Sequence, residues 1–157
     1  MTSTLLDQIL SYLDSNGVSY RMAHHEPTFT SEQSARARGE DIKIGGKAIV
    51  MKVGEEFKLF VLSAALKVDS AAIKTEFREK RTRFATPEEL GELTGAVPGA
   101  VPPFGKPITQ LALYVDRSIL ANQHIAFNAG SLTDSIIMKV EDYLRLTSPT
   151  VFDFSAS

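Results

Sequence analysis

Leu5, Leu6, Ile9, Leu10 and Leu13 recur at helical spacing, with Ser3 or Thr4 placed to cap the first turn and Asn16-Gly17 to stop the last. The pattern predicts a helix over residues 4–15 that lays one apolar stripe on a core. Residues 18–23 then read as a short strand, which the run His24-His25-Glu26-Pro27-Thr28 breaks. Thr30 or Ser31 caps a second helix ending near Arg38, with Glu32 and Gln33 early in it and Gly39 at its exit. Its face is small and polar, which predicts shallow burial.

Residues 47–53 and 57–63 are β-branched and apolar, and Gly54-Glu55-Glu56 joins them as a hairpin connection. Asp69 caps a helix over 70–79, and Thr86-Pro87-Glu88-Glu89 opens another, with proline in the first turn and acids at the positive dipole end. Residues 111–115, 124–127 and 135–140 read as three more strands, 141–145 as a short closing helix, and the tail from Ser148 as peripheral. Hairpins mixed with helical crossovers, without regular βαβ alternation, predict an α+β domain on a mixed, curved sheet.

At 157 residues and 43% hydrophobic content the chain fits a single domain, residues 1–157. A net charge of −2 rules out a uniformly basic nucleic-acid coat, so any RNA contact must come from a local patch, and DNA is not an expected partner. The absence of cysteine excludes disulfides, thiolate metal sites and cysteine nucleophiles together. No charged-then-apolar leader opens the sequence and no apolar run approaches the roughly 18 residues of a membrane span, so a cytoplasmic protein without a membrane partner is expected.

The segment from Gly95 to Gly105, GAVPGAVPPFG, is apolar yet cannot be regular structure, because three prolines fix φ and remove donors while three glycines supply backbone freedom. Such a loop, with N–H groups at Gly99, Ala100 and Val101, suits an uncharged substrate group and a developing oxyanion. A Pro-rich connector would read the same way. Lys47 opens an apolar strand after Gly45-Gly46, where its ammonium requires an anionic ligand such as a phosphate or carboxylate, or else snorkels from an edge.

The turn from Phe127 to Ser135 can present the Asn128 amide, the Ser131 hydroxyl and the Asp134 carboxylate to one site, although the same residues suit any tight turn. His24, His25 and His124 lack metal-ligand spacing, and no serine lies in a nucleophile elbow, so neither a metal nor a catalytic triad is expected. Lys74, Arg78, Lys80, Arg81 and Arg83, interrupted by Glu76 and Glu79, form a solvated helix face or a phosphate-contacting patch.

The order of these motifs resembles the YbaK and prolyl-tRNA synthetase editing-domain family, which includes free-standing aminoacyl-tRNA deacylases. The resemblance runs through Gly17-Val18-Ser19-Tyr20, His25-Glu26-Pro27, Gly46-Lys47-Ala48-Ile49-Val50-Met51, Arg83-Phe84-Ala85-Thr86-Pro87-Glu88-Glu89-Leu90, Gly99-Ala100-Val101-Pro102-Pro103-Phe104-Gly105, Tyr114-Val115-Asp116 and Phe127-Asn128-Ala129-Gly130, nearly the whole chain. It implies a mixed sheet curving into a barrel-like core flanked by helices. It also implies hydrolysis, without metal or cofactor, of the ester joining a mischarged amino acid to the terminal adenosine of a tRNA.

By that resemblance Lys47 is the functional lysine and Gly99 and Pro103 end a Gly-x-x-x-Pro loop, so that Lys47, Gly99, Ala100, Val101 and Pro103 form the expected catalytic set. Tyr20, His25, Thr28, Phe29, Asn128, Gly130, Ser131 and Asp134 form the substrate-binding set, and Lys74, Arg78, Lys80 and Arg81 the RNA contact. Some relatives carry His where this chain has Asn128. The partners implied are the 3′ acceptor end of an aminoacyl-tRNA and an aminoacyl-tRNA synthetase, with alanine on a proline tRNA as the first substrate to consider. Loop amides would polarise the ester carbonyl, Lys47 would hold the terminal phosphate or ribose, and Met51, Val61 and Ser63 would help set pocket volume. The alternatives are a non-catalytic tRNA-end or nucleotide-binding module and a hydrolase of a small aminoacyl ester or thioester.

Overall fold

The computed structural model describes residues 4–157. Helix α1 (Leu5–Ser15) opens with a capping box in which the Asp7 amide donates to Thr4 Oγ1 at 3.0 Å and the Thr4 amide to Asp7 Oδ2 at 3.2 Å. Thr4 is therefore the cap, and Ser3, the other candidate, lies outside the described residues. Ile9 and Leu13, four residues apart on one face, are fully buried.

Strand β1 (Tyr20–His24) leads to α2 (Ser31–Arg38), capped by Thr30 and ended by Gly39 in the left-handed region at φ 72°. A single 3₁₀ turn (Ile42–Ile44) delivers the chain to β2 (Gly46–Val53), which pairs antiparallel with β3 (Glu56–Ser63). Then come β4 (Lys67–Val68), α3 (Ser70–Phe77), β5 (Thr82–Phe84) and α4 (Pro87–Thr94). Helix α3 ends at Phe77 rather than near Glu79, because Arg78 turns left-handed at φ 55°. The apolar loop connects α4 to β6 (Ala112–Val115), followed by α5 (Arg117–Leu120), β7 (His124–Asn128), β8 (Asp134–Lys139), α6 (Val140–Thr147), β9 (Thr150–Val151) and β10 (Ser155–Ala156).

The mixed α+β class holds, but the strands fall into three sheets, and none closes on itself among the described residues. The main sheet has the order β5-β2-β3-β6-β9, with β3, β6 and β9 parallel, and a second has the order β1-β8-β7. A lone parallel bridge between Gly45 and Ala126 brings the start of β2 against β7. That junction positions the site described below.

The main sheet is buried on both faces. Val50, Leu59 and Val61 face a core shared with α1, Phe104, Phe127 and Tyr143, whereas Met51, Val53, Phe60 and Leu62 face a second cluster with Ile73 and Phe154. The tail from Ser148 is accordingly not peripheral. Strand β9 pairs with β6, β10 pairs with β4, and Phe154 is fully buried with its ring 5.2 Å from that of Phe60. The Phe154 amide donates to Asp116 Oδ1 at 2.7 Å. The outer face of an apolar sheet must be covered, and the tail's aromatic residues cover it.

Candidate functional site

One cavity of about 140 Å³ lies where the start of β2, helix α2, the end of β7 and the apolar loop converge. Its wall includes Gly45, Gly46, Lys47 and Ala48 from β2 and the turn before it, Ser34 and Arg38 from α2, Gly99 and Val101 from the loop, and Asn128 from β7. The two glycines allow this approach: a Cβ on Gly46 would sit 2.5 Å from Ile125 Cδ1, and one on Gly45 would sit 2.9 Å from Ala64 Cβ.

Lys47 is half-buried, and its ammonium has no hydrogen bond or ion pair among the described residues. Burial pushes its pKa below the ordinary lysine value, with Glu32 opposing that shift and Lys67 reinforcing it. The result is an unpaired ammonium on the wall of a small cavity.

The loop offers fewer free amides than its sequence predicts. The Ala100 N–H donates to the Val97 carbonyl at 3.0 Å, closing a tight turn around Pro98 and Gly99, whose φ of 87° requires glycine. Ala100 itself points into the core. The Gly99 and Val101 amides have no partner among the described residues, and both residues line the cavity. Pro103 is buried away from it, where its carbonyl accepts the Tyr143 hydroxyl at 2.6 Å and anchors the loop.

Asn128 ties the loop to the rest of the site. Its Nδ2 donates to the Gly99 carbonyl at 2.7 Å, and its Oδ1 accepts from Arg38 Nη2 at 3.0 Å. Arg38 Nε donates to Ser135 Oγ at 2.9 Å, and no carboxylate lies within ion-pairing distance of the guanidinium among the described residues. Burial lowers the Arg38 pKa to about 10. Sequence reasoning missed Arg38 because it read the polar face of α2 as shallowly buried; Ser34 and Arg38, four residues apart on that face, are both buried. That spacing was the available signal.

Thr28 also lines the cavity, its hydroxyl paired with that of Ser34 at 2.8 Å, and Phe29 stands at the rim with 74% of its surface exposed. His25 reaches the site only from behind, through a 2.9 Å contact between Nε2 and Ser135 Oγ. Tyr20 lies off the cavity and donates to Asp14 Oδ1 at 2.9 Å. Ser131 and Asp134 also lie off it. The Asp134 carboxylate accepts from Ser131 and pairs with His24, each at 2.8–2.9 Å, and so holds the turn together. Gly130 adopts φ 74° beneath Leu5, where a Cβ would meet Leu5 Cγ at 2.7 Å.

Met51, Val61 and Ser63 do not line the cavity: Met51 sits in the second core, Val61 in the first, and Ser63 Oγ donates to the Lys43 carbonyl at 2.7 Å. Ala48, Ala64 and Val101 supply the apolar wall instead. Arg78, Lys80 and Arg81 line a different groove with Glu55, Glu56 and Glu79, next to the far end of β2, and Lys74 lies on α3 nearby. From Lys47 to Val53 the strand runs about 20 Å, at roughly 3.3 Å per residue. Among the described residues no group of three or more His, Asp or Glu side chains is placed to hold a metal ion.

The family model of the aminoacyl-tRNA editing domain matches residues 25–146. The multifunctional Ser/Thr-tRNA deacylase ProXp-y of Escherichia coli (strain K12) is 34% identical over 152 residues, covering 94% of this chain and 90% of the relative. The prolyl-tRNA editing protein ProX of Acetoanaerobium sticklandii is 19% identical over 153 residues, covering 94% and 93%. Among solved structures, one described as a candidate trans-editing enzyme for prolyl tRNA synthetase superposes with a TM-score of 0.86 at 25% identity, covering all of both chains.

Proposed function

Because the chain belongs to the aminoacyl-tRNA editing-domain family, a hydrolase acting on aminoacyl-tRNA, we propose that it is a free-standing trans-editing enzyme that removes small amino acids from the 3′ end of mischarged tRNA. The observation that carries this reading is the meeting of the Lys47 ammonium with the unpaired Gly99 and Val101 amides around one cavity. A volume of about 140 Å³ is below the roughly 300–1,000 Å³ of drug-sized pockets, so it receives the acyl group and leaves the adenosine at the mouth. There the exposed Phe29 ring suits stacking against the terminal base.

In this reading water attacks the acyl carbonyl and the developing oxyanion is met by the Gly99 and Val101 amides, an arrangement in which each donor contributes about 2.7–4 kcal/mol to the transition state. The tetrahedral intermediate then collapses, the ester C–O bond breaks, and the ribose oxygen leaves with a proton as a hydroxyl. Lys47 holds the terminal phosphate or ribose, and that same ribose supplies the neighbouring hydroxyl that orients the water. An ester is labile enough that no serine triad is needed.

The floor of the cavity is polar: Thr28, Ser34, Arg38 and Asn128 carry hydroxyl, guanidinium and amide groups. Seryl and threonyl groups therefore rank ahead of the alanyl group first considered from the sequence, in keeping with the printed activity of the Escherichia coli relative. The enzyme would act in the cytoplasm beside a synthetase that makes such errors, as one domain spanning residues 1–157.

A deacylation panel of Ser, Thr, Ala, Cys and Val on several tRNAs, run with and without EDTA, tests all of this. Turnover of the hydroxylated pairs, unaffected by the chelator, is the expected result. Binding without turnover across the panel would favour a non-catalytic tRNA-end module.

A further inference from the structure

The central peptide of the catalytic loop, Gly99–Ala100, is pinned at both ends. Its N–H is taken by the Val97 carbonyl at 3.0 Å and its carbonyl by Asn128 Nδ2 at 2.7 Å. Holding that peptide plane restricts how the two peptides flanking it, which carry the unpaired Gly99 and Val101 amides, can turn. The pin works only while Asn128 presents its NH₂ to Gly99. A flipped amide would set Oδ1 against the Gly99 carbonyl, acceptor against acceptor.

Two groups stand within reach to hold Asn128 Oδ1: Arg38 Nη2 at 3.0 Å and Ser135 Oγ at 3.2 Å. Ser135 has a single hydroxyl hydrogen, and His25 Nε2 at 2.9 Å competes for it. The Glu26 carbonyl, 2.9 Å from His25 Nδ1, can only accept, so a ring hydrogen sits on Nδ1, and in that tautomer Nε2 accepts the Ser135 hydrogen. Arg38 is then the donor left to fix Asn128. Its Nε bond to Ser135 at 2.9 Å locks the guanidinium plane in which Nη2 lies.

We propose that Arg38 is a positioning residue: by holding Asn128 Oδ1 it keeps the Asn128 amide donating to Gly99, and so keeps the loop amides aimed into the cavity. A buried arginine with no carboxylate partner is otherwise costly to retain in a fold. A lysine at position 38 would lack the planar fork that holds its bonds to Ser135 and Asn128 in one fixed plane.

Arg38→Met and Asn128→Asp, alone and combined, test the proposal. In the free protein, Arg38→Met shifts the backbone amide resonances of Ala100 and Val101, and Asn128→Asp shifts the same set. The Asn128→Asp carboxylate keeps its pairing with Arg38 but faces the Gly99 carbonyl acceptor to acceptor, so the pin on the loop is lost while the Arg38 contact remains. In single turnover each variant loses about 10²-fold in kcat with KM nearly unchanged. The double variant is no worse than the poorer single one, because the two residues act in series.

Unmoved loop resonances in Arg38→Met would overturn the proposal, as would multiplicative losses in the double variant. A raised KM or altered amino-acid preference with an unmoved loop would make Arg38 a direct substrate contact instead. The kinetic arm rests on the hydrolase reading proposed above. If the wild-type protein turns over no aminoacyl-tRNA, that reading falls, and the resonances alone decide the role of Arg38.

Discussion

Lys47 at the start of β2 and Gly99 in the loop after α4 wall the same cavity, one with an ammonium and the other with an amide, and neither group has a partner among the described residues. Removing the Lys47 side chain orphans no protein group. Lys47→Ala is therefore expected to change stability by no more than about 0.5 kcal/mol while lowering single-turnover deacylation by about 10²-fold or more. Thermal denaturation and single-turnover rates check the two halves, and wild-type turnover across the mischarged panel would remove Lys47 from the mechanism.

The same residue sets an alkaline limit. Burial disfavours the charged form of Lys47, so its pKa lies below the ordinary lysine value and the proton leaves at lower pH than from a solvated lysine. A step that needs the ammonium must fail as pH rises through that lowered pKa, and the charge is fully present below it. The rate, corrected for spontaneous ester hydrolysis, should fall on the alkaline side at a lower pH than a solvated lysine would set. Lys47→Arg should move the limb upward, because a guanidinium keeps its proton. An alkaline limb unchanged in Lys47→Arg would assign it to another group.

Gly99→Ala tests the loop without touching charge. At φ 87° an L-residue is strained by about 1–2 kcal/mol, while the added Cβ meets only Leu132 Cδ2 at 3.4 Å, an ordinary contact. The cost therefore falls on the backbone, and the loop relieves it by turning the peptides that carry the amides. The thermal midpoint should drop by a few degrees and the single-turnover rate by a larger factor than stability explains. A wild-type rate would separate the loop from catalysis.

The local rules that worked in the sequence are those a few neighbours decide. Thr4, one of two candidate caps, caps α1, Thr86-Pro87-Glu88-Glu89 opens α4, and the β2–β3 hairpin follows from two apolar runs around Gly54. What failed needed tertiary information. Ala100 loses its amide to Val97 because Pro98-Gly99 forms a closed turn, and Met51 is drawn to a second core that exists only because the chain end folds back over the sheet.

Phe154 is the clearest such case, an aromatic residue near the terminus whose burial no local pattern reveals. Phe154→Ala should cost about 3–5 kcal/mol, as large-to-small changes at buried aromatic sites do. Because the second core lies apart from the cavity, kcat measured well below the lowered melting temperature should be unchanged. A selective loss of kcat in a folded Phe154→Ala protein would show that the two regions are coupled.

Charge reversal in the basic run would separate tRNA contact from chemistry. Lys80 and Arg81 lie about 20 Å along β2 from Lys47, too far to touch the acyl group yet within reach of a tRNA body whose 3′ end occupies the cavity. Glu55, Glu56 and Glu79 share their groove and dilute its field, so an RNA contact here would be limited to a few phosphates and would carry no sequence preference. Charge reversal, Lys80→Glu with Arg81→Glu, should raise KM for aminoacyl-tRNA and flatten the salt dependence of binding, since each lost phosphate contact removes about one unit from the slope. It should leave kcat intact, along with turnover of a minimal aminoacyl-adenosine. Unchanged KM and salt slope with full-length tRNA would place the RNA contact elsewhere on the surface and leave Lys80 and Arg81 as a solvated, internally paired face.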